Sequence, residues 1–209
     1  MRPRLLIINQ YYWPGVEATA NLLTQLAEDL AGEFEVTVLT GELHGHPGLP
    51  AREVRNGVSI VRVASLAYDR TKLSRRALNY VTFLAKALGR AVAGRRPDLV
   101  ICMTDPPVVG DVALVVSRRF RVPLLVISED VFPEIAVELK RLENPLLVGA
   151  LRQLVRLYLS HTDRIVAIGE TMRDRLIEKG AEPERIEVIP NWVDTAERTP
   201  QPRDNDWAR

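Results

Sequence analysis

Short runs of apolar, partly β-branched residues recur along this chain, and an amphipathic helical pattern follows nearly every one. Residues 5–8 (Leu-Leu-Ile-Ile) are the first run, and 36–39, 58–63, 99–103, 124–127, 163–168 and 186–189 repeat it. Runs this short and this continuously apolar read as strands covered on both faces, the condition of a parallel sheet. Between the first two, Val16, Ala20, Leu23, Ala27 and Leu30 fall at helical spacing and Gly32 closes the pattern. The alternation predicts an α/β, Rossmann-like, doubly wound, mostly parallel sheet of about seven strands. It fills one domain over residues 1–190, with 191–209 as a polar linker or truncated tail.

In such a sheet ligands collect outside the carboxyl ends of the strands. The first of these ends holds Asn9-Gln10-Tyr11-Tyr12-Trp13-Pro14-Gly15-Val16-Glu17 and then a helix start, whose open N–H groups and dipole suit phosphate. Glu17 is expected in the first helical turn. The fourth strand ends in Thr104-Asp105-Pro106-Pro107, and the fifth in Ser128-Glu129-Asp130-Val131-Phe132-Pro133-Glu134, which gathers three carboxylates at the same edge. Helix capping and solvated loop charge are the plain alternative for those acids. Tyr11, Tyr12 and Trp13 offer either an apolar wall for a bound molecule or packing against neighbouring loops.

Several chemistries lose support. The first loop has one glycine, Gly15, where a dinucleotide fingerprint needs three. No Gly-x-x-x-x-Gly-Lys and no Gly-x-Ser-x-Gly occurs. The single cysteine, Cys102, lies inside an apolar run and reads as a buried strand residue in a reducing compartment. His44 and His46 form an H-x-H pair in the irregular stretch 40–57, with no third metal ligand nearby. With 28 basic and 27 acidic residues, net charge +1, nothing global favours nucleic acid. No apolar run is long enough to span a bilayer, and no signal peptide opens the chain. Residues 70–96 are different: Arg70, Lys72, Arg75, Arg76, Lys86, Arg90, Arg95 and Arg96 interleave with an apolar stripe, and no acid follows Asp69. That is a basic amphipathic helix, read either as a solvated face or as contact with anionic lipid.

The stretch Asn9 to Asn21, the segment Asn56-Gly57-Val58-Ser59-Ile60-Val61-Arg62-Val63, the acidic loop Glu129 to Glu134 and the passage from Arg164 to Asp194 ending Glu-Val-Ile-Pro-Asn-Trp-Val-Asp together resemble bacterial glycosyltransferase family 4 enzymes. The likeness is to the branch that builds capsule, O-antigen or exopolysaccharide sugars, and it covers about residues 4–194. The resemblance implies one half of a GT-B fold, the N-terminal acceptor-side domain. The family's donor-binding domain, with its Glu-x7-Glu motif, has no counterpart here, so this polypeptide alone is expected to be inactive.

The resemblance further implies retaining transfer of a hexose from a nucleotide sugar to a polyprenyl-linked or other saccharide acceptor, with no metal required. The work would be done in the cytoplasm or at the inner face of the plasma membrane. Gly15, Val16 and Glu17 match the loop that lies near the donor phosphates, where many members carry two glycines. Glu129-Asp130 stands where many members have His-Asp. Glu129 would accept a hydrogen bond from a sugar hydroxyl, and Asp130 would orient the acceptor or stabilise charge at the anomeric carbon. Tyr11, Tyr12, Trp13, Asp105 and Glu134 fall on the acceptor side. The rival is a non-catalytic Rossmann-like binding module that needs a separate partner chain.

Overall fold

A computed structural model describes residues 2–68, 73–193 and 204. The expected start of the basic helix at 70–72 and nearly all of the expected tail lie outside the described residues.

Eight strands form one sheet among the described residues: β1 (Arg4–Ile8), β2 (Glu35–Thr40), β3 (Arg52–Arg55), β4 (Val58–Arg62), β5 (Leu99–Cys102), β6 (Leu124–Ser128), β7 (Arg164–Ala167) and β8 (Ile186–Val188). Their order is β3-β4-β2-β1-β5-β6-β7-β8. Every pairing is parallel except β3 with β4. The strand that the apolar pattern did not show is β3, Arg-Glu-Val-Arg. It sits at the sheet edge, with Val54 73% exposed, so no burial pattern marks it. Charged side chains suit such an edge because they discourage pairing with another chain. Asn56 and Gly57, both at positive φ, turn β3 into β4 as the Asn-Gly pair suggests.

Helices α1 (Ala18–Leu30), α2 (Leu73–Val92), α3 (Val109–Phe120), α4 (Glu134–Glu138), α5 (Pro145–His161) and α6 (Glu170–Glu178) connect the strands. The short α4 lies in a stretch that the sequence left irregular. Leu23 and Ala27 of α1 share a buried cluster with Ile7, Val38 and Ile60. A second cluster takes Phe83 and Ala87 from α2, Val112 and Val116 from α3, Val155 and Leu159 from α5 and Leu176 from α6. With α3 packed between α2 and α5, those three helices lie side by side. At α6 the amides of Gly180 and Ala181 bond the carbonyls of Ile177 and Leu176, and Gly180 has φ +101. That is the glycine-capped helix end the sequence implied. No described helix is long and apolar enough to cross a membrane.

Strand β1 is the switch point. From it the chain builds outward through β2, β4 and β3, then returns to β5 and builds the other way. The loops that follow β1 and β5 therefore meet at the carboxyl edge of the sheet, the place where ligands collect in such folds.

Candidate active site

The loops at this edge are tied to one another by backbone groups. The amide of Gln10, after β1, donates to the Asp105 carbonyl after β5 at 3.0 Å. Gln10's own carbonyl accepts from the Gly41 amide at 3.1 Å and from Thr40 Oγ1 at 2.8 Å. Asn9 Nδ2 donates to the Tyr11 carbonyl at 2.8 Å. These ties hold the loops in register, while Asn9 Oδ1 and Gln10 Oε1 are buried with no hydrogen-bond partner among the described residues.

The acidic loop after β6 is held in the same way. Thr104 Oγ1 accepts from the amides of Glu129 (3.0 Å) and Asp130 (3.3 Å), and Ser128 Oγ donates to the Asp130 carbonyl. Thr104 and Ser128 are both buried. Two small hydroxyl residues at the ends of neighbouring strands therefore fix where the Glu129-Asp130 pair stands. Asn191, just past β8, adds a third tie: its Nδ2 donates to Glu129 Oε2 at 2.8 Å. Burial pushes the Glu129 pKa up; the Asn191 hydrogen bond offsets this in part, and the charge of Asp130 adds to it. The result is a half-buried carboxylate beside a second, more exposed one, an arrangement suited to holding or moving a proton at a polar ligand.

Two residues to which the sequence assigned no role belong to this edge. Arg76, on the first turns of α2, is half-buried, and Nε donates to Tyr80 Oη at 2.7 Å. Burial works against its charge, but Tyr80, Asp105 and Tyr11 hold it protonated. This arginine therefore places positive charge beside the β5 loop. It was hidden among the other basic residues of its helix. Asn191 was visible as the junction after the last strand, without a partner to give it a role.

The first loop is more buried than an open aromatic wall would be. Tyr12 has no exposed surface and Tyr11 is 4% exposed. Both pack in the interior, Tyr12 against the α1-side cluster and Tyr11 with Ala20 and Leu43. Packing, the alternative left open for these two rings, is what the structure shows, and it corrects their reading as an acceptor-facing surface. Trp13 is 38% exposed, and the Arg55 guanidinium lies 3.6 Å from its ring centroid, so one face is covered by a cation. Arg62, nearly buried, donates to the Trp13 carbonyl and pairs with Glu53, which fastens this loop to the sheet edge.

Gly15 closes a tight turn, its amide bonding the Tyr12 carbonyl at 2.8 Å. A Cβ here would lie 2.9 Å from that carbonyl and 2.6 Å from Glu17 Oε2, so the turn requires glycine. Val16 is 84% exposed. Glu17 is the residue before the helix rather than part of its first turn, and its side chain makes no capping bond. Its carboxylate folds over Gly15.

Glu134 is placed differently from its two neighbours in sequence. Its carboxylate is taken up by Lys179, just past α6, and by Arg152 Nε of α5 at 3.1 Å. Burial alone would raise its pKa, but these cations hold it below the usual range. It ties α4 to α5 and to the end of α6. Among the described residues no group of three or more His, Cys, Asp or Glu is placed to hold a metal, and His44 Nδ1 lies 3.0 Å from the Ala67 carbonyl. A well-formed groove opens at the opposite, amino edge, lined by Arg4, Glu35, Arg90 and Arg96. Concavity therefore does not single out the carboxyl edge; the convergence of strand ends and acids does.

Comparison with known proteins bears on what this edge does. A family profile described as "Glycosyl transferase 4-like domain" matches residues 17–192. No curated protein matches. Among solved structures, HepE from Anabaena in complex with UDP and glucose is similar at a TM-score of 0.58 and 16% identity, over 97% of this chain and 48% of that one. Sucrose-phosphate synthase from Thermosynechococcus elongatus is similar at 0.60 and 15% identity, over 90% of this chain and 48% of that one. UDP-N-acetylglucosamine 2-epimerase from Rickettsia bellii is similar at 0.53 and 12% identity, over 91% and 45%. This chain spans about half the length of those three. An epimerase shares the fold with the others, so fold alone does not separate transfer from epimerisation.

Proposed function

The chain belongs to the family of glycosyl transferase 4-like domains, and on that premise we propose that it is the acceptor-side half of a retaining GT-B hexosyltransferase. The observation that carries the reading is the Glu129-Asp130 pair, fixed by Thr104 and Asn191 at the switch-point edge of the sheet. Such an edge is where a second body would close over a ligand. In a transfer reaction the bond from the anomeric carbon to the nucleoside diphosphate breaks, positive charge develops at that carbon, an acceptor hydroxyl bonds to it, and the hydroxyl proton passes to the departing phosphate. Asp130 is assigned to that charge and to the acceptor. Glu129 is assigned to a hydroxyl of the transferred sugar, and the burial that raises its pKa favours a shared proton with that hydroxyl. Arg76 and Asp105 flank the acceptor side, with Trp13 as the remaining exposed aromatic.

In the loop that Gly15 closes, the backbone amide of Val16, with the uncapped start of α1, is assigned to the donor phosphates. The carboxylate of Glu17 bears the same sign as a phosphate, so its place over Gly15 assigns the anion contact to backbone rather than to Glu17. HepE has been solved with UDP and with UDP-glucose, which supports a nucleotide sugar as the donor. A lipid-linked saccharide in cell-surface polysaccharide synthesis, met at the inner membrane face, is the acceptor class that the sequence resemblance favours. The reading needs no metal.

The test is a transfer assay of the complete gene product with a panel of nucleotide sugars and polyprenyl-linked acceptors. Transfer with one donor and retention of its anomeric configuration support the proposal. No transfer with any donor, in a preparation shown to be folded, favours the binding-module reading instead.

A further inference from the structure

Helix α2 covers only part of the sheet face it packs on. Leu39 shares a buried cluster with Phe83, Ala87 and Ala91, and the helix ends at Val92. One row nearer the amino edge, the register sets Leu6 beside Thr37, Thr37 beside Ser59, and Ser59 beside Val54. Alternation turns these four side chains to the α2 side, because Ile7, Val38 and Ile60, one residue further along, lie in the α1 cluster. They are left partly open: Leu6, Thr37 and Ser59 are half-buried and Val54 is 73% exposed. Strands of a parallel sheet are ordinarily covered on both faces. Here a groove of about 440 Å³ remains between β3 and the end of α2, a size that suits a small molecule.

Its floor is aliphatic, from Leu6, Leu39, Val54 and Val61, with the hydroxyls of Thr37 and Ser59 among them. Neither hydroxyl bonds another described residue. Its rim is arginine: Arg90 in the last turn of α2, Arg95 and Arg96 in the segment that returns to β5, and Arg52 across the groove on β3. Arg4 fixes the returning segment, its amide donating to Asp98 Oδ2 at 2.8 Å and its Nη1 to the Arg96 carbonyl at 3.4 Å. None of the four rim arginines has an acidic partner among the described residues. The two acids that also line the groove are already engaged, Glu35 by Arg4 and Glu53 by Arg62. Unpaired positive charge therefore surrounds an aliphatic floor that carries two open hydroxyls.

We propose that this amino-edge groove is a second ligand site and that it takes a nucleoside phosphate. Phosphate oxygens would be met by the guanidinium forks of Arg90, Arg95 and Arg96. The flat base would lie on the aliphatic floor with its polar edge toward Thr37 and Ser59, and the Arg52 guanidinium would stack at its side. The mixture of groups argues for this ligand. Inorganic phosphate would leave the floor bare. An acyl chain would leave both hydroxyls covered and unpaired, at a cost. A base on a phosphorylated sugar uses all three: apolar surface, hydrogen-bonding groups and cations. Arg90 stands about 21 Å along α2 from Arg76 at the carboxyl edge, so a molecule held here does not reach Glu129 or Asp130. The site does not depend on the transferase reading.

Calorimetric titration of the chain with AMP, GMP and UMP tests it, each set against its own nucleoside and against inorganic phosphate. At least one monophosphate should bind about tenfold or more tightly than both controls, and its binding should weaken as salt rises. Amide NMR shifts caused by that nucleotide should centre on Thr37, Ser59 and Gly94 rather than on Val16 and Glu129. Arg90→Ala with Arg95→Ala should weaken binding about tenfold or more, in protein whose circular dichroism is unchanged. Ser59→Leu, which fills the floor, should do the same. The proposal is overturned by no binding of any of the three nucleotides, by equal binding of inorganic phosphate, by shifts centred on Val16 or Glu129, or by no effect of either substitution in folded protein. Such a result leaves the transfer assay, which reads the carboxyl edge, untouched.

Discussion

The side-chain amide of Asn191 holds Glu129 Oε2 at 2.8 Å, joining the end of the last strand to the acidic loop 62 residues earlier in the chain. A hydrogen bond to a carboxylate favours its charged form. Asn191→Ala should therefore raise the Glu129 pKa further, read by carboxyl-carbon NMR titration. In an active preparation the acid limb of kcat/KM should move to higher pH. An unchanged Glu129 titration would mean that the contact has no electrostatic weight.

Gly110 and Gly89 make opposite predictions from the same substitution. A Cβ on Gly110 would stand 2.7 Å from the buried Tyr158 ring, so Gly110→Ala should destabilise the fold by about 1–3 kcal/mol through overpacking. Nothing lies within 4 Å of a Cβ on Gly89, in the last turn of α2, so Gly89→Ala should stabilise by up to about 0.5 kcal/mol. Urea unfolding of the two variants reads both.

Asp111 makes stability depend on pH in the direction opposite to a salt-bridged acid. Burial, offset only in part by its own amide, pushes its pKa up to about 7 from 3.8. Between those values the folded chain binds the proton and the unfolded chain releases it, so stability falls as pH rises through that window. Cys102 and Tyr158 lie close by and are neutral throughout it. Asp111→Asn should raise Tm at pH 8 and change it little at pH 4. An equal rise at both pH values would show that the carboxylate is not the cause.

Much of this architecture was legible because burial writes a pattern. Strands β1, β2, β5 and β6 are covered on both faces and are mostly apolar, so their places and the parallel sheet followed. β3 was not legible because an edge strand carries charge and has one neighbour. At the site, Glu129 and Asp130 could be placed because strand ends share an edge. Tyr11, Tyr12 and Glu134 sit in the same loops but serve packing and ion pairing. Residue type does not separate a tyrosine facing a ligand from one facing Ala20 and Leu43. Nor could sequence show that Lys179, 45 residues after Glu134, reaches back to claim its carboxylate.

The central claim is that the Glu129-Asp130 edge carries out sugar transfer, and Asp130→Asn tests it most directly. Turnover of the complete gene product should be measured with its preferred nucleotide sugar and a lipid-linked acceptor, alongside Tm. The account predicts a loss of at least about tenfold, about 1.4 kcal/mol of barrier, with Tm held to within a few degrees. Unchanged turnover in the folded variant would contradict it and take Asp130 out of the site.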